Sequence, residues 1–147
     1  HKYNQIYTSE QAFFDDLEQM NSIIKAQTGN DASIIRFPGG SSNTVSKDYC
    51  PGIMTQLVND VTARGLLYCD WNVSSGDANS KPISTEQVVQ NVISGVRSHN
   101  VSVVLQHDIK DFSVNAVEQI IQWGQANGYT FLPLTTSSPM SHHRVNN

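Results

Sequence analysis

Apolar positions along the chain follow two periods, and the alternation between them predicts the elements. Phe13, Leu17, Met20 and Ile24 recur at three- and four-residue spacing, which places an amphipathic helix over about Ser9 to Gln27. Thr8, with Gln11 three residues on, is its expected N-cap, and Gly29 closes it. Ile53, Leu57, Val58 and Val61 mark a second helix over about Gly52 to Arg64, ended by Gly65. A third, behind the capping pair Ser84 and Gln87, carries Val88, Val89, Val92, Ile93 and Val96. A fourth is expected from about Val114 to Asn127, with Ser113 as cap and Gly128 as stop.

Short apolar runs fall between the helices and read as strands: Ser33–Phe37, Leu66–Asp70, Val101–His107 and Tyr129–Leu134. Strands alternating with helices imply βαβ crossovers and a parallel sheet. The expected fold is therefore α/β, a small open sheet or an incomplete (β/α) barrel, in one domain over residues 1–147. Segments 39–48 and 72–82 are rich in small polar residues and read as loops; the stretch after Leu134 reads as a solvated tail.

Composition narrows the function classes. With 9 basic against 13 acidic residues the net charge is -4, which leaves no electrostatic footprint for nucleic acid or an anionic membrane. No apolar run approaches the roughly 20 residues of a membrane span. The chain opens on His1-Lys2-Tyr3-Asn4, without a Met or an apolar leader, and is expected to be a piece of a longer protein. Cys50 and Cys69 fit no metal spacing; Cys69 is expected to be a buried thiol, and spacing alone leaves open whether the two pair.

Chemistry concentrates where three strands end. Arg36-Phe37-Pro38-Gly39, Cys69-Asp70-Trp71 and Leu105-Gln106-His107-Asp108 each put a charged or titratable residue just past an apolar run. Ligands of α/β folds bind outside the carboxyl ends of their strands. His107 has the chemistry to deliver a proton to a leaving group, although a lone His at a strand end is more often held by a backbone carbonyl. Asp70 beside it would fix and tune the ring, and its bland alternative is a turn cap. Arg36 would hold a carboxylate, and the Gly39 N–H would meet an oxyanion; the alternative is a surface ion pair before an ordinary Pro-Gly turn. Trp71 is either packing or one wall of a sugar groove. His142-His143 lies in the tail, where adjacent histidines point apart and make a poor metal site.

Taken in order, the three stretches resemble motifs of the polysaccharide deacetylases, the family-four carbohydrate esterases with the NodB homology domain. The third motif, R-x-P, is matched by Arg36-Phe37-Pro38; the fourth, centred on D-W, by Asp70-Trp71; the fifth, L-x-H-D, by Leu105-Gln106-His107-Asp108. The resemblance implies a distorted (β/α) barrel and metal-dependent hydrolysis of linear amides, the N-acetyl groups of amino-sugar polymers such as peptidoglycan or chitin oligomers. It implies His107 as general acid, Asp70 as its tuning carboxylate, Arg36 as the residue orienting a catalytic Asp, and Gly39 on the oxyanion side. Trp71, Leu105 and Phe37 would line the substrate groove. His1 would be one ligand of a divalent metal, zinc or cobalt.

The chain departs from that pattern in places. The first motif's Asp-Asp, base and metal ligand, is not matched, since Asp15-Asp16 lies inside an amphipathic helix. Of the second motif, H-[ST]-x-x-H, only His1 is matched, and Gly39 stands where an aromatic is usual. The expectation is the C-terminal portion of a deacetylase barrel lacking its first strands, inactive alone and prone to self-association or to pairing with its missing part. The intact protein would be extracellular or anchored at the cell surface. A non-catalytic carbohydrate-binding barrel and a small α/β interaction module are the competing readings.

Overall fold

The computed structural model describes all 147 residues. Helices α1 (Tyr3–Ile6), α2 (Glu10–Thr28), α3 (Ile53–Ala63), α4 (Thr85–Arg97), α5 (Asp111–Val114) and α6 (Val117–Ala126) alternate with two-residue strands. The strands are β1 (Ile34–Ile35), β2 (Leu67–Tyr68), β3 (Val73–Ser74) and β4 (Val104–Leu105), and a 3-10 turn spans Val45–Asp48. The chain divides into two compact units, one of His1–Asp70 with Thr135–Asn147, the other of Trp71–Leu134.

In the first unit β1 and β2 pair in parallel, Ile34 against Leu67 and Ile35 against Tyr68. The cap of α2 is Ser9, whose Oγ accepts the Ala12 N–H at 3.1 Å, rather than the expected Thr8. Thr8 turns back to donate to the Gln5 carbonyl and so closes α1, a turn the periodicity does not reveal. Ile53, Met54, Leu57 and Val61 of α3 meet Ile6, Tyr7, Phe13, Phe14 and Phe37 in one core. Cys50 and Cys69 are free thiols, Cys69 buried.

The expected solvated tail is instead tied into this unit. The Asp70 N–H donates to the Ser141 carbonyl at 2.6 Å, and the His142 ring stacks on Tyr68 with 4.1 Å between centroids. At the far end the Thr55 N–H donates to the Asn147 carbonyl at 2.7 Å, and Asn147 Nδ2 donates to Ser46 Oγ at 2.8 Å. A polar sequence reads as solvated, but here its carbonyls and side chains pair with backbone and hydroxyl groups of this unit.

In the second unit β3 and β4 pair in parallel, Val73 against Val104 and Ser74 against Leu105. β3 lies in a segment expected to be a loop. The Asn72 side chain fastens the pair, accepting the Val103 N–H at 2.8 Å and donating to the Val101 carbonyl at 2.9 Å. Ser84 caps α4 as expected, and Val88, Val89, Val92 and Ile93 pack with Ala116 and Ile120. The expected fourth helix is two, α5 and α6, and Ser113 is a buried member of α5 rather than a cap. No strand forms over residues 129–134: the Tyr129 N–H returns to the Gly124 carbonyl at 2.9 Å, and the run has no ladder partner. The parallel strands are thus two separate pairs rather than one four-stranded sheet.

Candidate functional site

His107 lies two residues past β4 and is gripped twice by one carboxylate of the same unit. Asp77 Oδ1 sits 2.8 Å from His107 Nδ1, and Asp77 Oδ2 accepts the His107 main-chain N–H at 2.7 Å. Ser113 Oγ donates to the same Oδ2 at 2.6 Å. Lys110 Nζ donates to the Asp77 carbonyl, and Asn91 Nδ2 donates to the Ser75 carbonyl at 2.9 Å, so the loop that carries Asp77 is pinned on both sides. The Asp77 side chain is 1% exposed and that of His107 28%.

This arrangement fixes protonation as well as position. Burial pushes the Asp77 carboxyl up, but hydrogen bonds from the side chains of Ser113 and His107, the His107 main chain and Ser75 outweigh it. The net result is a carboxyl lowered to about 2, ionised throughout the neutral range. An anion on Nδ1 keeps hydrogen there and leaves Nε2 as the ring nitrogen at which a proton is given or taken.

The carboxylate on His107 is therefore Asp77, a correction to the expected role of Asp70. Both Asp70 oxygens are occupied in the first unit: Oδ1 by the Ser41 N–H at 2.8 Å, Oδ2 by Ser41 Oγ at 2.5 Å and by the His143 N–H at 2.9 Å. With 2% exposure, Asp70 is a buried knot that ties the end of β2 to the turn after β1 and to the tail. Phe37, expected in the substrate groove, is wholly buried between Phe13 and Tyr68, so it belongs to the core.

The other expected residues keep accessible positions. Arg36 is exposed at the end of β1 and donates to the Phe37 carbonyl at 3.3 Å. Gly39 is exposed with φ +80°, where glycine alone is unstrained, and the Pro38 carbonyl before it accepts the Tyr7 hydroxyl at 2.7 Å. Trp71 and Leu105 are half-buried in the second unit. His1 is exposed, and its Nδ1 pairs with the Asp16 carboxylate.

A metal does not fit these residues as they stand. No three His, Cys, Asp or Glu side chains converge, and His1 has only Asp16 beside it. A catalytic zinc needs about three protein ligands.

Asp77 and Ser41 escape the sequence reading, and Ser113 enters it only as a helix cap. The signal for Asp77 is weak: Val73 followed by Ser74-Ser75-Gly76-Asp77 repeats the pattern of an apolar residue leading to a titratable one, but a single apolar residue among polar neighbours does not read as a strand.

No family model matches the chain. A peptidoglycan-N-acetylglucosamine deacetylase of Bacillus cereus is 27% identical over 135 residues, covering 89% of this chain and 46% of the relative. The chain thus spans about half the length of the curated relative it matches. The crystal structure of the catalytic domain of a peptidoglycan N-acetylglucosamine deacetylase from Eubacterium rectale matches with 98% identity and TM-score 0.99, over 100% of this chain and 67% of that one. A Streptococcus mutans CE4 esterase structure matches at 25% identity and TM-score 0.69, over 89% of this chain and 58% of that one. With near identity across its full length to such a catalytic domain, the chain belongs to the polysaccharide deacetylases, the family-four carbohydrate esterases.

Proposed function

We propose that the intact protein hydrolyses N-acetyl groups from an amino-sugar polymer, peptidoglycan first and chitin oligomers next. The observation that carries this reading is the His107–Asp77 pair. An amide nitrogen leaves only once protonated, so hydrolysis of an acetamide needs a placed acid. Water adds to the acetyl carbon, its proton passing to the catalytic Asp that the resemblance implies as base, and the π pair moves onto oxygen. On collapse the C–N bond breaks and its electron pair takes the Nε2 proton of His107 in its imidazolium form, leaving neutral His107, the free amine and acetic acid, which ionises to acetate. Asp77, ionised and bonded to Nδ1, keeps the ring in the productive orientation throughout.

Family resemblance supports further roles: Arg36 orienting a catalytic Asp, the Gly39 N–H meeting the oxyanion, Trp71 and Leu105 facing the sugar. It also implies a divalent metal, zinc or cobalt, and a place at the cell surface. Because these side chains assemble neither a metal donor set nor the first-motif Asp-Asp, the 147-residue segment alone is proposed to be inactive. The same reading has the chain pair with further barrel strands or with itself, supported by Ile109 and Leu132 at 83% and 79% exposure.

The test is acetate release from peptidoglycan and N-acetylglucosamine oligomers. The intact protein is expected to release acetate, the segment none, and His107→Ala about a hundredfold less or lower. Unchanged release by His107→Ala overturns the general-acid assignment.

A further inference from the structure

The turn at Pro38–Gly39 presents two hydrogen-bond donors with no partner inside the protein. The Gly40 N–H closes on the Phe37 carbonyl at 2.7 Å and the Ser41 N–H on Asp70, while the exposed Gly39 N–H donates to nothing. Tyr3 of α1 supplies the second donor. Its ring stands edge-on to Tyr7, with 5.6 Å between centroids and 70° between planes. Tyr7 is itself fixed by its hydroxyl on the Pro38 carbonyl. This stack sets the Tyr3 hydroxyl against Gly39, in the volume that a Cβ there would need, with Cζ 3.1 Å from that position. The half-buried Tyr3 makes no hydrogen bond through its hydroxyl.

We propose that Tyr3 is a further substrate-binding residue, its hydroxyl and the Gly39 N–H forming a two-donor cradle for the carbonyl oxygen of an N-acetyl group. The assignment rests on the deacetylase reading above. An acyl oxygen has two lone pairs for two donors and gains negative charge as water adds, so prepositioned donors favour the transition state over the ground state. The bond between Tyr7 and Pro38 and the ring stack hold both donors before substrate arrives, so little reorganisation is needed. An ammonium group, left after deacetylation, accepts no hydrogen bond, so the cradle grips the acetylated sugar and releases the product. Gly39 is required twice over, by its positive φ and by the phenol that fills the side-chain space.

Tyr3→Phe in the intact protein is the decisive variant, because it keeps the ring on Tyr7 and removes only the hydroxyl. The probe is an oligomer of N-acetylglucosamine, read by acetate release and by the NMR shift of the Gly39 amide, with His107→Ala as control. Tyr3→Phe is expected to lower kcat/KM by about a hundredfold at an unchanged melting temperature and to diminish the Gly39 shift. If His107→Ala abolishes release while Tyr3→Phe stays within twofold, the cradle is overturned and the deacetylase reading stands. If the protein releases no acetate yet the Gly39 amide responds to the oligomer in a Tyr3-dependent way, the cradle stands and the catalytic reading falls. Neither release nor response overturns both.

Discussion

Asp77 Oδ1 holds His107 Nδ1 at 2.8 Å while its other oxygen takes the main-chain N–H of the same residue, so a single carboxylate sets both the ring and the backbone that carries it. Asp77→Asn keeps the shape but turns an acceptor into an amide that confronts donors with a donor. One buried donor then loses its partner, which costs about 1–3 kcal/mol. The ring also loses the anion that selects its tautomer. Acetate release by the intact protein is expected to fall at least tenfold, mostly in kcat, with KM little changed. An activity equal to the parent's would show that His107 does not act through this pair.

The same carboxylate makes stability depend on acid. Its folded value, about 2, lies below the ordinary 3.8, so the unfolded chain takes up the proton first. The stabilisation is complete above about pH 4 and disappears as pH falls through the folded value; a shift of this size corresponds to about 2 kcal/mol. Thermal melts of the parent should therefore drop more steeply between pH 4 and pH 2 than those of Asp77→Asn. Parallel curves would mean that the carboxylate gains nothing from folding.

Much of this was legible in the chain, and the failures share a cause. Long stripes gave α2, α3 and α4 to within a few residues, and the Ser84 cap was found because capping is a local rule. The ends of β1, β2 and β4 fall one or two residues before Arg36, Asp70 and His107, where each apolar run gives way to a polar residue. β3, and with it Asp77, is hidden because Val73 stands alone among polar residues, whereas β1, β2 and β4, equally short, lie within the apolar runs Ile34-Ile35, Leu66-Leu67-Tyr68 and Val103-Val104-Leu105. Phe37 was misplaced because a residue flanking a polar turn looks accessible until its long-range ring contacts with Phe13 and Tyr68 are known. The tail failed for the same reason: its partners, Ser42, Ser46, Thr55 and Asp70, are more than seventy residues distant in sequence.

Ser41 tests whether Asp70 is a structural knot. Ser41→Ala deletes the 2.5 Å hydroxyl bond to a carboxylate that is 2% exposed and leaves Oδ2 with the His143 N–H alone. Hydrogen bonds to charged groups contribute about 1.5–3 kcal/mol, and a loss of that size is expected in denaturant unfolding. Removing residues 141–147 should act on the same knot, so the two changes should be less than additive. Simple additivity would place the tail's contribution elsewhere.

Gly95, in the last turns of α4, offers a case where helix propensity and packing oppose each other. Alanine at an ordinary helical position gains about 1 kcal/mol over glycine. Here a Cβ would stand 2.5 Å from Cγ1 and 3.2 Å from Cγ2 of Val73, a buried residue of β3 whose branched side chain has little freedom to turn away. Overpacking of this kind costs about 1–3 kcal/mol. The contact is with a stiff side chain close to its own backbone, so packing is expected to outweigh propensity and Gly95→Ala to lower the melting temperature. The shift should reach the His107–Asp77 pair as well, because β3 leads directly into the segment that carries Asp77. A loss of acetate release that accompanies the lost stability, and recovery of both when Val73→Ala is added, would locate the effect at this crossing. A variant more stable than the parent would show that α4 has room to move away from β3.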